Sequence, residues 1–191
     1  MSTTYDFGSG PVPAHRHTNP DGKLGGWVAD TATVGPTARI GKNAWVYGNA
    51  EVCGNARVLG DAEVSGHAVV SGSAMVSGGA MVYGDAKVFD NAWVSGDAWV
   101  FGNAQVFDNA KVSGDAVVSG DAKVSGNAEV SDDAQVSGNA WVSGDAQVFG
   151  NAKVFGGAKV SGNAQVSDNA EVFGHAKVFG NEWVSGESVL V

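Results

Sequence analysis

A chain of 191 residues with 20 acidic and 11 basic side chains carries a formal charge of −9, which argues against nucleic acid or an anionic membrane as a partner. The length allows one domain with a short leader, and the 43% apolar fraction, mostly Val and Ala, fits a packed core. No segment approaches a membrane span, and the single cysteine, Cys53, excludes an internal disulfide.

Residues 1–25 form the leader, with Pro11, Pro13 and Pro20, two histidines and no period. No apolar run here is long enough for a signal peptide, so the protein is expected to act in the cytoplasm where it is made, or to be carried in a virion. The leader reads as a cap over the first coil of the repeat that follows, because the end of such an array exposes unpaired backbone. His15 and His17, two apart and thus on one side of an extended segment, could hold a metal with Asp21, although polar cap residues are the simpler reading.

Residues 26–191 repeat a six-residue unit, Gly-Asn/Asp-Ala-x-Val-Ser/Phe/Tyr, without insertion or deletion. From Val28 to Leu190 the aliphatic column has 28 positions and 26 of them are Val, the others being Ile40 and Leu190. The column two residues earlier holds 25 alanines, with Glu182 as the one large residue. In a strand these two columns share one face and x and the last residue share the other. Gly-Asn and Gly-Asp supply the left-handed backbone of a tight corner. From Gly48 to Gly186 the corner column has 24 positions, 20 Gly and four Asp (Asp90, Asp108, Asp132, Asp168).

A meander of hairpins would leave the Ala/Val face uncovered. A parallel β-solenoid with 18 residues per coil buries it in one continuous core. The predicted fold is therefore all-β, about nine coils and on the order of 45 Å long, each strand paired with the strand 18 residues on.

The units from Ala32-Thr-Val34 to Ala176-Lys-Val178 resemble the hexapeptide-repeat superfamily, with a small residue two places before an aliphatic one. That resemblance covers residues 26–191 and implies a triangular left-handed β-helix. The purity of the unit is also similar to long arrays in phage, prophage and bacterial proteins described as polymer-forming or of unknown function. Hexapeptide-repeat enzymes include acyltransferases with a histidine base and γ-class carbonic anhydrases with three zinc-binding histidines. Here the array holds only His67 and His175, six coils or about 29 Å apart, and extrudes no loop to wall a pocket. No catalytic or cofactor-binding residue is expected. The reading is a non-catalytic, self-associating structural rod or protein-binding component. The alternatives are an acyltransferase-like enzyme with its site at a trimer interface, and an acidic decoy or nucleic-acid mimic.

Stacked coils turn every eighteenth residue into a column. One corner column runs through Asp97, Asp115 and Asp133, carboxylates ~4.8 Å apart that repel unless a cation intervenes, which makes them weak divalent-metal candidates. Another corner runs Asn91, Asn109, Asn127, Asp145, Asn163, Asn181, and predicts an amide ladder. One face gathers Trp27, Trp45, Tyr47, Met81, Tyr83, Trp99, Phe101 and Val117, a strip of roughly 300 Å², comparable with the largest apolar patch of a typical monomer. This strip is the expected interface with other copies, in a parallel trimer, or with another protein. Glu182, in the core column of the last coil, reads as a charge that blunts an open edge.

Overall fold

A computed structural model describes residues 3–191. Its plan follows from the corners. All 24 positions of the corner column have positive φ, between 58° and 73°, the four aspartates included. Glycine is favoured there for a second reason: at Gly114 a Cβ would stand 2.8 Å from the Asp132 amide nitrogen one coil on. Where aspartate takes the place, three of the four carboxylates bond to the next coil. Asp108, Asp132 and Asp168 accept the amides of Gly126, Gly150 and Gly186, one coil on, at 3.0–3.1 Å. Asp90, whose neighbour one coil on is Asp108, has no such bond among the described residues.

Between corners, each x-Val pair is a short strand, 27 of them from Thr33–Val34 to Val189–Leu190. Each pairs in parallel with the strand 18 residues on, for example Trp27 with Trp45, Lys87 with Gln105 and Lys111 with Glu129. The ladder continues around the bends, where Asn49 donates its amide to the Gly66 carbonyl at 2.7 Å. Three flat sheets result, of 12, nine and nine strands, meeting in a triangular section. We call them face one (with Trp45), face two (with Lys87) and face three (with Trp93). From Ala44 to Val172 every residue of the two inward columns is wholly inaccessible. The coil register, the three parallel sheets and the absence of helix among the described residues agree with the predicted solenoid.

The leader supplies the extra strands of face one. Strand β1 (Thr4–Asp6) pairs antiparallel with β2 (Pro11–Thr18), and β2 pairs antiparallel with β3 (Leu24–Ala29), the first strand of the solenoid proper. On face three the Asn19 side chain stands in for a strand: it accepts from the Ile40 amide at 2.8 Å and donates to the Ile40 carbonyl at 3.0 Å. The junction is tight. Gly26 occupies the column that elsewhere holds alanine, and a Cβ there would overlap the Ala44 carbonyl oxygen.

In the last coil, 174–191, Glu182 is exposed and its carboxylate accepts the Phe179 amide at 3.1 Å. The one charged residue of the core column is therefore solvent-exposed and bonded to a backbone donor.

Candidate functional site

Face one carries the aromatic column in register: Trp27, Trp45, Glu63, Met81, Trp99 and Val117 pair in succession. The structure divides this strip. Tyr5 of β1 stacks on Trp27 with centroids 4.5 Å apart and meets Trp45 edge-on at 5.6 Å. Phe7 stacks on Tyr47 at 4.9 Å. The Arg16 guanidinium lies 5.5 Å from the Trp27 ring centre. Trp27, Trp45 and Tyr47, expected to face other copies, are thus packed under the chain's own leader, and the expectation is corrected for those three. Nothing in the aperiodic leader sequence signalled this contact beyond the bare presence of Tyr5 and Phe7. Burial also raises the Tyr47 phenol pKa, and its hydroxyl donates to Glu63 at 3.0 Å. Glu63 and Ser65 separate the covered part from Met81, Tyr83, Trp99, Phe101 and Val117, over which no leader aromatic is stacked among the described residues. Tyr83 and Phe101 are stacked at 4.9 Å and 4°, a consequence of a coil rise that matches ring-stacking distance.

Three tryptophans outside face one follow a pattern that the sequence reading missed. Trp93, Trp141 and Trp183 each donate the indole N–H to a serine 16 residues back, Ser77, Ser125 and Ser167, at 3.3, 3.2 and 3.0 Å. The rings are pinned across the preceding coil, which explains why Ser125 and Ser167 are buried in outward columns. The signal was available as a serine at i−16, a spacing meaningful only once the coil length is known.

The corner columns behave as ladders. Asn91 donates to Asn109 at 3.3 Å, Asn109 to Asn127 at 3.2 Å, Asn127 to Asp145 at 2.9 Å and Asn163 to Asn181 at 3.1 Å. Asp97, Asp115 and Asp133 stand exposed on successive coils. Among the described residues no group of three His, Cys, Asp or Glu side chains converges as a metal site would require. Any divalent binding at these aspartates is therefore proposed as weak and without a built cage. Replacing Asp115 with Asn is expected to raise the melting temperature in chelator by removing like-charge repulsion, and to reduce whatever rise calcium produces in the parent. A parent whose melting ignores calcium has no such site.

The histidines are dispersed. His67 and His175 are exposed on one corner column six coils apart, and the His175 ring leans into the space left by Gly157. In the leader, His15 pairs with Asp30 at 2.9 Å and Asp21 with Arg39 at 3.2 Å, so the suggested His15, His17, Asp21 group does not come together. The β2–β3 register shifts between Arg16 and Thr18, and there His17 is buried, its Nε2 without a hydrogen-bond partner. Burial, with a smaller push from His15, holds the His17 imidazole below its ordinary pKa. A depressed folded value means the folded state resists protonation. The stability contributed is present above the unfolded value, near pH 6.5, and is lost as pH falls through it toward the folded value. Protease clipping of the leader should accelerate as pH falls below about 6.5, the ordinary histidine value, and less so in His17→Gln. Cys53 is half-buried and its thiol is pushed up by that burial and by Glu51, which leaves it a poor nucleophile.

No helix among the described residues is long and apolar enough to cross a membrane. No curated protein sequence matches the chain. A family model described as "YdcK Beta solenoid repeat" matches residues 134–148. A second, described as "Bactofilin: Polymer-forming cytoskeletal", matches residues 38–140, just over half of the chain and entirely within the in-register coils. With a solenoid of unbroken 18-residue coils beneath that match, the chain belongs to the bactofilin family of polymer-forming cytoskeletal proteins.

Proposed function

We propose that this protein is a structural rod that joins with copies of itself into a polymer through its side walls. The observation that carries the reading is the uncovered half of the face-one strip, Met81, Tyr83, Trp99, Phe101 and Val117, on the stretch of coils matched by the polymer-forming family. Flat, loop-free walls let such a contact recur along the rod without steric interruption. The leader's occupation of Trp27, Trp45 and Tyr47 leaves roughly 100–150 Å² of strip, little for a discrete trimer. An open polymer needs less from each contact, because every copy is held at several of them. Three-fold packing is retained as the geometry of choice if the assembly closes.

The cytoplasm is the proposed setting, in keeping with a cytoskeletal family; service in a virion, and a left-handed hexapeptide-type winding, rest only on the resemblance of the repeat unit to hexapeptide-repeat and phage arrays. Light scattering and negative-stain electron microscopy test the reading. The parent should form particles far larger than one chain at micromolar concentration, and Trp99→Lys with Phe101→Lys should reduce their mass while far-ultraviolet dichroism stays unchanged. A parent that remains monomeric overturns it.

A further inference from the structure

The outward column of face two, from Lys87, runs Lys87, Gln105, Lys123, Trp141, Lys159 and Lys177, in register one coil after another. No carboxylate interrupts it, and its four lysines are exposed. Elsewhere on the rod, lysines in the same kind of position are neutralised: Lys111 pairs with Glu129 at 2.8 Å and Lys153 with Glu171 at 3.2 Å. The face-two lysines have no ion-pair partner among the described residues. Carboxylates do stand on the flanking corners, but several are already engaged by ladder donors. Asp121 accepts from Asn103, Asp145 from Asn127 and Asp108 from the Gly126 amide.

In a triangular section each face lies opposite a vertex. The vertex opposite face two, between faces three and one, is the one that carries Asp97, Asp115 and Asp133. These three make no side-chain hydrogen bond or ion pair among the described residues, whereas Asp61, Asp132 and Asp168 on the same vertex accept from Asn43 and from the Gly150 and Gly186 amides. A rod of net charge −9 thus sets a column of lysines without ion-pair partners on one wall, Lys159 also lying 5.7 Å from the Trp141 ring centre, and three unpartnered carboxylates on the opposite ridge.

We infer that face two is a docking surface for a second copy of this chain, whose Asp97–Asp115–Asp133 ridge lies along the lysine column. The spacings agree because both ladders step by the same coil rise: Lys87 and Lys123 are two coils apart, as are Asp97 and Asp133. In that register each carboxylate meets a donor, Asp97 and Asp133 an ammonium and Asp115 the Gln105 amide. The contact joins unlike surfaces on opposite sides of the rod, so it does not close and rods add side by side into a sheet. It is an exposed ionic contact, weakened by salt. This deepens the polymer reading and rests on it.

The test uses the full chain with two charge-reversal variants, Lys87→Glu with Lys123→Glu, and Asp97→Lys with Asp133→Lys. All substituted residues are exposed, and dichroism and melting verify folding. The parent should form side-by-side arrays in electron micrographs at low ionic strength that disperse to single-rod width at high salt. Each variant alone should lose the arrays while keeping its narrow polymers, and an equimolar mixture of the two should regain them. Arrays that persist in both variants, or a mixture that fails to regain them, overturn the inference without touching the polymer reading. Absence of any polymer in the parent sinks both. Retention of the parent, but not of the Lys87→Glu, Lys123→Glu variant, on oligo-dT or phosphatidylglycerol vesicles, with array width indifferent to salt, would assign the column to a foreign polyanion instead.

Discussion

Val118→Asp is expected to lose several kcal/mol of stability, enough to open the coils around it. Val118 is wholly inaccessible in the middle of the array, and its neighbours in the section are other Val and Ala side chains that offer no hydrogen bond. A carboxylate there is left without water or partner, which is among the costliest single changes a core can suffer. A solenoid is coupled mainly between adjacent coils, so the damage should be local before it is global. The same substitution at Val184, which is only partly buried, should cost far less. Thermal denaturation followed by far-ultraviolet dichroism checks both. A Val118→Asp protein that melts with the parent would contradict a continuous Ala/Val core.

Gly26→Ala should also destabilise, by a few kcal/mol on the scale of overpacked cores, although a consensus argument points the other way. Gly26 opens the column in which 25 of 28 residues are alanine, so restoring the consensus residue would ordinarily be expected to help. The leader reverses that expectation. Residues 24–29 lie between β2 and the strand Trp45–Val46, and the close approach of the backbone places the Ala44 carbonyl oxygen where the new methyl group would go. Backbone cannot swing aside as a side chain can, so the first coil must shift or the leader detach. Loss of the leader should be visible as altered tryptophan emission, since Tyr5 and Phe7 cover Trp27 and Trp45. An unchanged or raised melting temperature would mean that the junction has slack.

The two changes separate what the sequence determines from what the folded chain decides. A small inward residue, an aliphatic one and a corner that tolerates positive φ recur at strict spacing, and each constrains only its own backbone and its counterpart one coil away. Such a code can be read from residue types alone. For that reason the coil length, the three walls, the buried columns, the amide ladder at Asn91–Asn109–Asn127 and the four left-handed aspartates are all legible in the sequence. What the sequence did not disclose lies where the repeat meets something aperiodic, or where two repeats touch along a diagonal. The leader's cover over Trp27, Trp45 and Tyr47, the separation of His15 from His17 at a bulge, and the Asn19 side chain in place of a strand depend on how 25 unpatterned residues pack, and packing is a property of shapes in three dimensions. The Trp–Ser pairs at i−16 are compatible with the predicted coil length but do not follow from it, and which lysines and aspartates are left unpaired depends on the side-chain partners that the folded chain supplies. Side-chain partners outside the column are chosen by geometry that only the closed triangular section creates.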